Sequence, residues 1–262
     1  MHGSLATAYP DYLYQIARLL RDPVYRGEDL PKGNAQAVML IPGFLAGDWS
    51  LSRMAGWLNR LGYRAYFSGI DWNVDCPNAT AMKLQWRLEQ ITTETVSPLA
   101  VIGHSLGGLL ARFLGVNFPA SVRHIITLGS PLDVSNPDRV HPAVHSAFQL
   151  LTPLRRRGDS ESRSCGSTTC TCRFATTAFD PLPSSVTMTS IYSRQDEVVD
   201  WQASVDPNSQ NIEVSGGHLS LIVNSEVYRA IAKTLAHCWM ETPAACTSGQ
   251  KIKGETERRL NG

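Results

Sequence analysis

The 262 residues are 43% hydrophobic with a formal net charge of +1, enough apolar material for one sizeable α/β domain with an insertion and no surplus of cation for a nucleic-acid partner. The basic run Arg155-Arg156-Arg157 reads as a solvated loop. No stretch approaches the ~18 apolar residues that span a bilayer, and residues 1–10 lack a basic segment leading into an apolar one, so no secretory leader is legible and a cytoplasmic protein is expected.

In chain order, residues 11–20 predict a short amphipathic helix with Leu13, Ile16 and Leu20 on one face. Residues 37–41, all apolar and closed by Pro42-Gly43, predict a strand buried on both sides. Leu51, Met54, Leu58 and Leu61 recur at helical spacing, with Asp48 or Ser50 as the expected cap and Gly62 as the stop. Strands follow over 64–70, 99–102, 124–128, 186–192 and 210–214, with helices over 79–94, after Gly103, and over 219–236. This alternation implies an α/β fold with a mostly parallel central sheet flanked by helices.

More than fifty residues separate the strand ending near Leu128 from the one starting near Val186, far more than a crossover helix needs. The surplus carries Val140, Val144, Phe148 and Leu151 at helical spacing, so residues 137–182 are expected to form a cap or lid. The organisation is then a helix and lead-in over 1–36, a core over 37–136 and 183–240, and a disordered tail over 241–262. The six cysteines are too sparse for a disulfide scaffold. Cys165, Cys170 and Cys172 crowd into one polar segment, as thiols or a local disulfide, a redox-labile pair, or part of a metal site; no metal or cofactor is expected at the active centre.

Chemistry concentrates in Gly103-His104-Ser105-Leu106-Gly107. A bare G-x-S-x-G decides little, but here a buried strand enters the motif and a helix leaves it. That setting defines a nucleophile elbow, in which the Ser105 hydroxyl stands above the sheet at a helix N-terminus. A serine hydroxyl needs a base, and the base needs an orienting acid; behind such an elbow the acid precedes the histidine in the chain. Of the downstream histidines, His124 opens a strand, His141 and His145 sit in the expected cap, and His237 closes a helix. His218 alone lies in a glycine-bearing loop between strand and helix, Ser215-Gly216-Gly217-His218, and is the expected base. Asp196, just past the 186–192 strand, is the expected acid, with Glu197 and Asp200 as neighbours that could be confused with it and Asp133 as a further alternative. Two backbone N–H groups should receive the oxyanion, those of Leu106 and of Phe44 in the Pro42-Gly43-Phe44-Leu45 loop. Phe44, His104, Phe148 and Leu151 are the expected substrate contacts, favouring an apolar acyl or aromatic group.

These segments, together with Asn73-Val74-Asp75-Cys76 and Tyr192-Ser193-Arg194-Gln195-Asp196, resemble the α/β-hydrolase superfamily, and within it bacterial lipase-like and esterase-like hydrolases, from about residue 37 to about 235. The resemblance implies triad roles for Ser105, Asp196 and His218 and an oxyanion hole from Phe44 and Leu106. Many lipases carry His before the oxyanion glycine, where this chain has Pro42. The expected activity is hydrolysis of a small carboxylic ester through an acyl-serine. The alternatives are an acyltransferase or thioesterase with the same triad, or a binding module, which a filled triad disfavours.

Overall fold

The computed structural model describes residues 6, 8–133, 135–155 and 171–240. Six strands form one sheet: β1 (Ala37–Ile41), β2 (Arg64–Phe67), β3 (Leu99–His104), β4 (Val122–Leu128), β5 (Thr187–Ser193) and β6 (Gln210–Val214), in the order β2-β1-β3-β4-β5-β6. Every neighbouring pair is parallel. Nine helices accompany the sheet among the described residues: α1 (Ala8–Arg21), α2 (Pro23–Arg26), α3 (Ser52–Arg60), α4 (Pro77–Thr95), α5 (Leu106–Asn117), α6 (Pro142–Arg155), α7 (Arg173–Thr177), α8 (Trp201–Ser204) and α9 (Ser225–Met240).

The two-residue period of a strand sends alternate side chains to opposite faces, and both faces are apolar here. Val38, Leu40, Ala100, Ile102, Ile126 and Leu128 join a core with Leu19, Trp57, Leu58, Tyr228 and Ile231 from α1, α3 and α9. Ala37, Met39, Ile41, Leu99, Val101 and Ile125 join a second core with Leu84, Leu88, Leu110, Phe113 and Phe174 from α4, α5 and α7. The chain runs outward from β1 to β2, then returns to place β3 on the other side of β1. The strand order therefore reverses between β1 and β3, and the crevice outside their carboxyl ends is where an open α/β sheet receives a ligand.

The structure differs from the sequence pattern at four places. Helix α1 starts earlier and is turned: Leu13 and Leu20 are exposed, while Gln15 and Leu19 are buried. Its inward face follows Tyr12, Ile16 and Leu19 because that face meets α9 and the turn after His218. Neither Asp48 nor Ser50 caps α3. Asp48 begins a 3-10 turn, Asp48–Leu51, and its carboxylate accepts from Ser68 N, Ser68 Oγ, Gly69 N and Ile70 N at 3.2, 2.6, 2.7 and 3.1 Å. Those bonds take residues 68–70 out of the sheet and end β2 at Phe67. The expected helix over 219–236 is two pieces, a 3-10 turn Leu219–Val223 and α9, because Asn224 Oδ1 accepts from Glu226 N at 2.8 Å and opens a new helix.

Cys76 is disulfide-bonded, whereas Cys172 and Cys238 are thiols, half-buried and buried. Cys165, Cys170 and the tail 241–262 lie outside the described residues, as do the side chains of Phe148 and Leu151.

Candidate functional site

Ser105 is the single residue between β3 and α5, with φ 53° and ψ −122°. A left-handed φ costs a non-glycine residue about 1–3 kcal/mol and persists only where the surroundings impose it. Here they do. A Cβ at Gly103 would lie 2.2 Å from the Gly107 carbonyl, and one at Gly107 would lie 2.3 Å from the Ile41 carbonyl, so only glycine fits on either side of the turn. Ser105 N donates to Leu128 O at 2.9 Å, tying the strained residue to β4. Ser105 and Leu106 stay partly exposed between a buried strand and a buried helix. Leu106 is the first residue of α5, so its N–H belongs to the set that a helix leaves without an intrahelical acceptor.

The loop after β1 packs against this elbow. A Cβ at Gly43 would lie 2.9 Å from His104 Nδ1 and 3.1 Å from Ser105 Cβ. The loop is stitched to residues 70–73: Leu45 N donates to Asn73 O, Asn73 N to Ala46 O, Asp48 N to Ile70 O, and Asn73 Nδ2 to Pro42 O, at 3.1, 2.7, 2.9 and 2.8 Å. Phe44 sits half-buried in it, beside an exposed Leu45 at φ 62°. Trp49 and Trp72 form an exposed edge-to-face pair on the same loops, ring centroids 6.2 Å apart.

Asp196 follows β5 and His218 follows β6, and the two are bonded, His218 Nδ1 donating to Asp196 Oδ2 at 2.7 Å with both side chains buried. The other oxygen, Asp196 Oδ1, accepts from Val198 N at 2.9 Å and Val199 N at 2.8 Å, which fixes the carboxylate's rotation. With Nδ1 committed as donor, Nε2 is the ring's basic nitrogen. Burial disfavours the charged ring, but the Asp196 charge and hydrogen bond and the nearby Glu197 outweigh it and raise the His218 pKa above its ordinary value. Glu197 and Asp200 do not compete for the ring: Glu197 Oε2 accepts from His218 N at 3.0 Å, and Asp200 Oδ1 accepts from Gln202 N at 3.0 Å as the cap of α8. Asp133 bonds Arg139 and Ser135 N instead. His124 is buried within the sheet between Thr187 and Thr189.

His104, expected as a substrate contact, lies under the His218 loop. The ring is buried, Nε2 donates to the His218 carbonyl at 3.1 Å, and the two ring centroids lie 4.8 Å apart. Burial first, and the neighbouring His218 second, depress its pKa to about 3, so the ring is a neutral prop under the His218 loop. Sequence reasoning passed over Gly129, at φ 55°. A Cβ there would lie 2.8 Å from Asp196 Oδ2 and 3.3 Å from His218 Nδ1, so the loop after β4 closes directly on the acid–histidine pair. The Gly129-Ser130-Pro131 turn after a buried strand was the available signal. Residues 139–141 run antiparallel to 198–200, with His141 N on Val198 O and Asp200 N on Arg139 O at 2.7 Å each, so the excursion after β4 is anchored beside the acid.

A parallel sheet with a strained serine on a strand–helix elbow and a bonded acid–histidine pair on two later strand ends is the architecture of the α/β-hydrolase superfamily. A family model described as a PGAP1-like alpha/beta domain matches residues 81–237, more than half of the chain, and the chain belongs to that family. Solved structures agree on the fold. One of two metagenome-derived lipolytic enzymes superimposes with a TM-score of 0.56 at 13% identity, over 81% of this chain and 96% of that one. A Bacillus licheniformis lipase gives 0.55 at 16%, over 82% and 96%. A Paleococcus ferrophilus monoacylglycerol lipase gives 0.54 at 15%, over 80% and 97%. No curated protein sequence matches the chain.

Proposed function

We propose that the chain hydrolyses carboxylic esters through an acyl-serine on Ser105. The observation that carries this reading is the pairing of His218 Nδ1 with Asp196 at 2.7 Å, on the same sheet edge as a serine held at φ 53°. In the proposed reaction His218 Nε2 takes the Ser105 hydroxyl proton as the oxygen attacks the ester carbonyl. The tetrahedral oxyanion is received by the N–H groups of Leu106 and Phe44. His218 then returns the proton to the leaving alkoxide, and water repeats the sequence to free the acid. Asp196 orients the ring and balances its charge without accepting the proton.

Leu45, Trp49 and Trp72 give the loops beside the elbow an exposed apolar rim, which supports an apolar acyl or aromatic ester of short to medium length as substrate. The excursion after β4, anchored beside Asp196 through residues 139–141, is the proposed cap. No described helix is long and apolar enough to cross a membrane. The Cys76 disulfide favours an oxidising compartment over the cytoplasm.

Labelling with a fluorophosphonate, followed by peptide mapping, tests the reading. Modification of Ser105 that Ser105→Ala and His218→Ala abolish supports it, and label on any other serine overturns it. A series of nitrophenyl esters should turn over fastest with short to medium chains.

A further inference from the structure

Glu197 has a place at the site that the proposed triad does not use. It is buried, only 3% exposed, directly after the acid of the triad. Its Oε2 accepts from the backbone N–H of His218 at 3.0 Å. The preceding N–H, that of Gly217, is taken at 2.8 Å by Oδ2 of Asp11, from the first turn of α1. Two successive amides under the histidine are thus held by carboxylates far apart in the chain. Gly217 shows how close the packing is: a Cβ there would lie 2.6 Å from Glu197 Oε2 and 3.3 Å from Asp11 Oδ2. The remaining oxygen, Glu197 Oε1, is buried with no hydrogen-bond partner among the described residues. A neutral amide could accept the same His218 N–H, so a buried, half-satisfied carboxylate is a costly choice for a clamp alone.

We propose that Glu197 is a positioning residue for His218, clamping its backbone while placing a second negative charge beside the imidazole to favour the imidazolium formed during catalysis. This rests on His218 being the base. Among the described residues, the titratable groups packed around His218 are Asp196 on its ring, Glu197 on its backbone N–H, His104 against its ring and on its carbonyl, and Asp11 on the preceding Gly217 amide. Asp196 holds Nδ1, and His104 is neutral and bonded to the His218 carbonyl, which leaves Glu197 as the charge whose removal keeps every ring contact in place. Asp11 and Glu197 divide the labour: the first docks α1 on the loop, the second acts on the histidine itself.

The test is the pH dependence of kcat/KM on a nitrophenyl ester, for the full chain and two variants. Glu197→Gln can keep the bond to His218 N and removes the charge; Glu197→Asp keeps the charge and withdraws it from the amide. With Glu197→Gln the acidic-limb midpoint should fall by about one pH unit, with KM within about twofold of the starting protein. With Glu197→Asp the midpoint should stay within a few tenths of a unit, while kcat falls by about tenfold from the loosened loop. A clamp without electrostatic action lowers kcat in both and moves neither midpoint, and that result overturns the proposal. If Glu197→Gln does not fold, Glu197→Asn removes the same charge with a shorter amide, and an unmoved midpoint there overturns it equally. Retention of full activity by His218→Ala would defeat the triad reading itself, which separates the two failures.

Discussion

The Ser105 elbow and the His218 loop sit at the same sheet edge and are built in opposite ways. The elbow is local: within five consecutive residues, glycines at 103 and 107 leave room for the Gly107 and Ile41 carbonyls, and the strained serine follows from that packing. The His218 loop is assembled from a distance. Its amides are held by Asp11 and Glu197, its carbonyl by His104, its ring by Asp196, and the loop after β4 closes on it at Gly129. A nucleophile can be specified by a short motif because strain is a backbone property. A base needs a chosen tautomer, orientation and charge environment, which only neighbouring side chains supply.

This contrast predicts different failures. Ser105→Ala should remove about 10³-fold or more of kcat with an unchanged thermal midpoint, since a small, partly exposed hydroxyl contributes little to packing. Gly103→Ala should instead damage the fold. Its Cβ meets backbone, which cannot step aside, so denaturant unfolding should show a loss of about 4 kcal/mol. Asp196→Asn leaves a side chain that still fills the space, and kcat should fall by about 10²- to 10⁴-fold while stability changes less than in Gly103→Ala, because the amide no longer fixes the Nδ1–H tautomer. Should Gly103→Ala keep full stability and Asp196→Asn unfold the protein, the contrast between a backbone-built and a side-chain-built half is wrong.

The same contrast explains what the sequence made legible. All six strands and the alternation of layers could be read, the central strands because buried parallel strands leave continuous apolar runs such as 37–41 and 99–102. The elbow could be read because its residues are adjacent. Asp196 apart, the partners of His218 could not. Asp11 is only the first residue of a predicted helix, Glu197 reads as a rival of Asp196, and His104 as a substrate contact, because periodicity and spacing carry no information about which distant amide a carboxylate meets. The orientation of α1 was misjudged for a related reason: counting apolar residues selected Leu13 and Leu20, whereas docking on a polar loop and α9 buried Gln15 and Leu19.

Three buried histidines, 104, 124 and 218, sharpen the comparison through pH. His104, on the elbow, and His124, inside the sheet, have their pKa values depressed to about 3 from 6.5 by burial, with the neighbouring His218 adding to this for His104 and His237 and Arg123 for His124. Groups whose folded pKa is depressed contribute stability that is present above the unfolded value and lost as pH falls toward the folded one. Each should therefore cost about 1.4 kcal/mol per pH unit below about pH 6. His218 has the opposite sign. Its raised pKa stabilises the fold below the unfolded value, and that contribution is lost as pH rises through the raised one. The proposed role as a base runs against this stabilising role, since kcat/KM should climb over the same interval in which the neutral ring accumulates. His124 lies away from the reaction, so His124→Asn isolates the acid term. Urea unfolding between pH 6 and pH 4 should show a slope shallower by about 1.4 kcal/mol per pH unit than in the starting protein, with the acidic limb of kcat/KM unmoved. An unchanged slope would mean that His124 accepts its proton within the folded sheet.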